Sequence, residues 1–78
     1  MPTVFRAGGY RIMIYLNDHP PAHVHVGHAG KEARIGLDPV ESLHNYGFNS
    51  RELNEILRVI ADNQDMLLEK WDTIHSER

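Results

Sequence analysis

A chain of 78 residues with a formal net charge of −3 and no cysteine has room for one domain and one modest core. The absence of cysteine excludes disulfides, and the slight negative charge argues against a general nucleic-acid coat. No apolar run approaches the roughly 20 residues that cross a bilayer, and the first residues lack the basic-then-apolar order of a signal peptide. A cytoplasmic protein with no membrane partner is expected.

Thr3 to Ala7 and Tyr10 to Asn17 are rich in β-branched and aromatic residues, with only Gly8-Gly9 between them. Such a pair supplies the positive backbone angles of a two-residue hairpin turn. Along the second run Tyr10, Ile12, Ile14 and Leu16 share one face, with Arg11, Met13 and Tyr15 on the other. Asn17 to Pro21 then interrupts, because consecutive prolines cannot donate to a sheet ladder. A third strand follows over His23 to His28, and after Ala29-Gly30 a fourth over Lys31 to Leu37. Every connection is short, so the strands predict an antiparallel meander.

Asp38-Pro39-Val40-Glu41 has the order of a helix N-cap, first-turn proline and capping-box glutamate, which predicts a short helix ending near Gly47. A second capping box begins at Asn49-Ser50-Arg51-Glu52, with Phe48 and Leu53 placed as a hydrophobic staple. Leu53, Leu57, Ile60, Gln64, Leu67, Trp71 and Ile74 then recur at spacings of four and three, widened by Ile56, Val59 and Leu68. That stripe predicts one long amphipathic helix. The expected architecture is α+β and a single domain over 1–78. An antiparallel four-stranded sheet fills 1–37, a short helix and turn 38–47, and a long helix 49–75. The long helix packs on one sheet face and buries Ile12, Ile14, Val24, Val26 and Ile35. So small a core buries only roughly 60–65% of the unfolded surface, so a homodimer or a cognate small protein on the long helix is expected.

Charge is unevenly spread. Residues 1–36 carry Arg6, Arg11, Lys31 and Arg34 against Asp18 and Glu32, whereas residues 37–78 set Arg51, Arg58, Lys70 and Arg78 against nine carboxylates. An anionic ligand on the first half fits this asymmetry, as does a basic partner on the second or a plain solvated acidic helix.

Four of the six histidines fall between His19 and His28, and His23 and His25 alternate with Val24 and Val26. On a strand the two imidazoles share a face, the arrangement that offers two metal ligands. His19, His28 or a carboxylate such as Asp18 or Glu32 could add a third. No cofactor is expected beyond such a divalent metal on His23, His25 and His19. Acid–base chemistry on a phosphodiester is the other use, with His23 and His25 exchanging protons and Arg11 or Arg34 stabilising the phosphate. Tyr15, on the face of Arg11, would orient the substrate. The same histidines also fit an ordinary polar sheet surface.

The ordered motifs Met1-Pro2-Thr3, Phe5-Arg6, Gly9-Tyr10-Arg11, Pro20-Pro21-Ala22-His23-Val24-His25-Val26, Leu37-Asp38-Pro39-Val40-Glu41 and Asn45-Tyr46-Gly47-Phe48 cover most of the chain. Together they resemble a small bacterial family of unknown function, DUF4160. Genes for such proteins often adjoin another small protein, so the resemblance implies a toxin–antitoxin-type component with a cognate partner and no assigned reaction. That role, exercised through protein and RNA contacts, is the first functional expectation. A histidine-dependent, ribonuclease-like phosphodiesterase or a metal-dependent hydrolase on the His23/His25 face is the alternative.

Overall fold

The computed structural model describes residues 3–76, so Met1 and Pro2, which open the resemblance, lie outside the described residues. Five strands precede two helices: β1 (Thr3–Ala7), β2 (Tyr10–Met13), β3 (His23–His28), β4 (Lys31–Leu37), β5 (Val40–Tyr46), α1 (Ser50–Asp62) and α2 (Gln64–His75). The strands form one antiparallel sheet in the order β1-β2-β3-β4-β5. The α+β meander is therefore present with one strand more than expected. Gly8 and Gly9 both take positive φ, 58° and 85°, between the paired Ala7 and Tyr10. That handedness matches the twist of the flanking strands.

Alternation decides which side of the sheet becomes the core. Tyr10 and Ile12 on β2, Val24 and Val26 on β3, and Ala33, Ile35 and Leu37 on β4 all point to one side. There they meet Phe48, Ile56, Ile60, Leu67 and Trp71, with Ile14 just beyond β2 joining them. α1 lies against β4 and β5, and α2 against β4. The residues expected beneath the helix, Ile12, Ile14, Val24, Val26 and Ile35, are all buried.

Three sequence expectations are corrected. The second strand stops at Met13 rather than Asn17. Asp18 turns the chain back instead: its backbone N–H donates to the Tyr15 carbonyl and its carboxylate accepts the Tyr15 N–H, both at 3.1 Å. A short polar side chain that satisfies local backbone in this way competes with a ladder.

The short helix over 38–47 is instead strand β5. Leu37 pairs with Val40 across the two-residue turn Asp38-Pro39, so the capping-box residues form a hairpin. Val40, Leu43 and Tyr46 are too few to anchor an isolated helical turn, whereas pairing with the open edge of β4 satisfies the backbone of the whole segment.

The long helix over 49–75 is two helices meeting at Asn63. Its backbone leaves the helical region (φ −119°, ψ 19°), its N–H bonds to the Ile60 carbonyl and its side-chain amide donates to the Val59 carbonyl at 2.8 Å. Asparagine is a poor interior helix residue because its side chain bonds nearby backbone. The Asn49 capping box is formed, with reciprocal bonds to Glu52. The one polar residue of the stripe, Gln64, is explained by its amide donating to the Leu37 carbonyl at 2.7 Å, which satisfies the end of β4.

Candidate functional site

The other side of the sheet carries no helix. Directly paired residues share a side, so Met13, His25, Arg34 and His44 form one row across β2 to β5, and Arg11, Gly27, Glu32 and Tyr46 form the next. A bulge at Leu43, opposite the Arg34–Ile35 step, sets the register of His44 and Tyr46. Most of this outer face is open to solvent, and the segment between β2 and β3 folds over one corner of it. There Tyr15 sets its ring edge-on to His25 at 4.8 Å and its hydroxyl 3.5 Å from the Met13 sulfur.

That folded segment brings a carboxylate to the histidines. Both oxygens of Asp18 lie 3.2 Å from His25 Nε2, and Oδ2 lies 3.6 Å from His23 Nε2. The ligand atoms of Asp18, His23 and His25 are all within 4.8 Å of one another. His19, expected as the third ligand, is exposed and stands outside this cluster; Asp18, weighed only as an alternative, takes its place. His23 Nδ1 donates to the Pro21 carbonyl at 2.9 Å, and His25 Nδ1 lies 3.6 Å from Glu32 Oε2. His23 is nearly buried, 7% exposed, with the Trp71 ring 5.2 Å away at the end of the sheet.

The two arginines expected to hold a phosphate do not converge. Arg34 faces His25 across the strand pair and borders a shallow depression of about 140 Å³ with His25, Glu32, Ala33, His44 and Tyr46. Arg11 lines a separate depression with Met13, Tyr15 and Gly27, its guanidinium lying over Gly27. Tyr15 packs on His25 from the Arg11 side. His23 and His25 share the outer face and each borders a depression with Arg34: His25 the one just described, His23 another lined also by His19, Pro20, Pro21 and Leu43. The residues sequence reasoning missed are His44 and Tyr46, whose rings stack at 4.2 Å and 26°. Their i, i+2 spacing repeats that of His23 and His25, and assigning 38–47 to a helix hid it.

The remaining histidines serve elsewhere. His28 bonds the Gly9 carbonyl and sets its ring against Tyr10. Burial, reinforced by a 2.9 Å hydrogen bond to Glu55, pushes the Tyr10 hydroxyl above its ordinary value. His75 Nδ1 donates to the Trp71 carbonyl.

Residues 9–72 match the family model described as Domain of unknown function (DUF4160), and the chain belongs to that family. No curated protein and no solved structure matches it. Among the described residues no helix is long and apolar enough to cross a membrane.

Proposed function

We propose that this protein is a toxin–antitoxin-type component that contacts single-stranded RNA through its outer sheet face. The carrying observation is the exposed His44–Tyr46 stack beside Arg34. Tyr46 is 63% exposed, so its ring is available to a base, while the guanidinium beside it suits the neighbouring phosphate. Among the described residues the large exposed apolar side chains are Tyr15, Leu16, Leu43 and Tyr46, which lie on strands and loops rather than on the helices. For a cognate protein or second copy these are the most exposed apolar contacts, whereas the helical stripe is buried or half-buried against the sheet.

The test is fluorescence anisotropy with a short labelled oligouridylate at several salt concentrations. Tyr46→Ala should cost about 1–3 kcal/mol of affinity, the range for one stacked base. Arg34→Ala should flatten the salt dependence by about one phosphate contact. Undetectable binding at low salt, or binding indifferent to both changes, would reject the reading.

A second reading, phosphodiester cleavage, has one observation behind it: Arg34 is paired with His25 on one side and His44 on the other. A phosphate on Arg34 would then lie between two imidazoles, with His44 free to move a proton. Cleavage of labelled RNA by the wild type and its loss in His44→Ala would support it; RNA left intact by the wild type removes it.

A further inference from the structure

We infer that Asp18, His23 and His25 form a binding site for one divalent transition metal of the zinc type. This rests on contacts other than the His44–Tyr46 stack that carries the RNA-binding reading, and stands or falls separately from it.

The spacing suits a metal. A tetrahedral ion with bonds of about 2.0–2.1 Å holds its ligand atoms about 3.3–3.4 Å apart. Asp18 Oδ2 is 3.2 Å from His25 Nε2 and 3.6 Å from His23 Nε2. The third edge, between the imidazoles, is no longer than 4.8 Å, so a bound ion would draw the two rings together by up to about 1.4 Å to reach tetrahedral spacing.

Hydrogen bonds orient the lone pairs the same way. With Nδ1–H of His23 given to the Pro21 carbonyl, Nε2 carries a lone pair and faces a carboxylate oxygen. Two acceptors facing each other in a nearly closed corner call for a cation or a proton between them. Metal-ligating histidines hold their second nitrogen on a carbonyl or carboxylate in this fashion, which fixes the ring and raises its basicity. His25 differs: its Nε2 meets both Asp18 oxygens at 3.2 Å, a contact that a metal would replace by displacing the ring proton to Nδ1, which stands 3.6 Å from Glu32. Asp18 is itself held by the Tyr15 N–H.

The surroundings fit as well. The three side chains are only 9–16% exposed, between the rings of Trp71 and Tyr15. Two nitrogens and one oxygen suit a borderline ion of the zinc type, whereas magnesium and calcium prefer oxygen throughout. Three protein ligands leave the fourth position to solvent, as in open rather than closed zinc sites.

The alternative occupant is a proton shared within the cluster, and a titration separates the two. Protein stripped with a chelator is titrated with zinc by calorimetry, and with cobalt while absorption and Trp71 fluorescence are followed. One zinc per chain is expected, with cobalt quenching Trp71, the only tryptophan. Asp18→Asn and His25→Gln should each weaken zinc at least about 100-fold, the upper end of what outer-shell changes alone produce. His19→Ala should leave the affinity unchanged. Because either ligand variant could disturb the fold, the wild-type histidine ring signals are also followed by NMR. Zinc should shift those of His23 and His25 and not those of His19. The site is rejected if zinc fails to bind stoichiometrically, if binding survives both ligand substitutions in folded protein, or if the His19 signals move instead.

Discussion

The two sides of the sheet are built from the same strands, residue against alternate residue, yet they do different work. Inward, Val24, Val26, Ile35 and Leu37 are fully buried, and the helices supply Ile56, Ile60 and Leu67 to meet them. Outward, the same strands carry His25, Arg34 and Glu32, and β5 adds His44 and Tyr46. The inner side is apolar and closed, so its residues contribute by area removed from water. The outer side is polar and mostly open, so its residues are free to serve a ligand. An antiparallel sheet tolerates this division because one face can stay in water.

The sharpest way to break the comparison is to truncate the inner side. Ile60→Ala and Leu67→Ala each remove a fully buried side chain at the helix–sheet contact and should cost about 2–5 kcal/mol. In a domain of this size each kcal/mol lowers the melting temperature by about 4–8 °C, so either variant comes close to unfolding. A wild-type melt for both would mean that the helices do not rest on this face.

The next effect is smaller and local. The Asn49 side-chain oxygen accepts the Glu52 N–H at 2.8 Å, and the Glu52 carboxylate accepts the Asn49 N–H in return. Asn49→Ala should cost about 1 kcal/mol, within the range of about 0.5–2 for lost caps. Chemical denaturation should show it as a lower midpoint at unchanged slope.

How far these two sides could be read in advance depended on the signal each residue carries. The alternation of His23-Val24-His25-Val26 sorted β3 correctly because period two is unambiguous where polar and apolar residues alternate. The Asn49 cap was legible because both partners lie three residues apart. Asp38 to Glu41 carried an equally good capping pattern, and yet β5 formed, because the same Asp38-Pro39 also makes a two-residue hairpin turn and the ladder with β4 satisfies far more backbone than one capped turn of helix. The break at Asn63 was masked by a stripe that keeps helical spacing straight through it. Asp18 was visible only as one carboxylate among several, since its approach to the histidines depends on how the segment before Pro20 folds back. His44 and Tyr46 were lost with the strand that displays them.

Sharpening the comparison from the outer side calls for a change that does little to stability. The double variant His44→Ala, Tyr46→Ala removes two exposed rings stacked chiefly on each other. Its stability should stay within about 0.5 kcal/mol of wild type, as for most surface substitutions, while RNA binding falls. A large drop in stability would make this pair part of the scaffold and not a free surface.

The smallest effect lies on the seam between the sheet and α1, and it shows only in acid. Lys31 Nζ donates to Glu52 Oε2 at 2.7 Å, and that bond, aided by the Asn49 N–H, holds the Glu52 carboxyl below its ordinary value of 4.5. A lowered carboxyl means that the unfolded chain binds the proton more tightly than the folded one. The stabilisation is therefore complete above about pH 4.5 and is lost as the pH falls through the lower folded value. Glu52→Gln removes this titration but keeps a polar group for the cap. Wild type should accordingly lose melting temperature more steeply than Glu52→Gln below about pH 4.5, with the gap between them narrowing. Lys31→Met, which removes the first-named cause, should shrink the same acid limb while leaving the cap intact. If both variants instead track the wild type in parallel from neutral pH into acid, the Lys31–Glu52 contact does not couple the sheet to the helix layer, and the core alone joins the two.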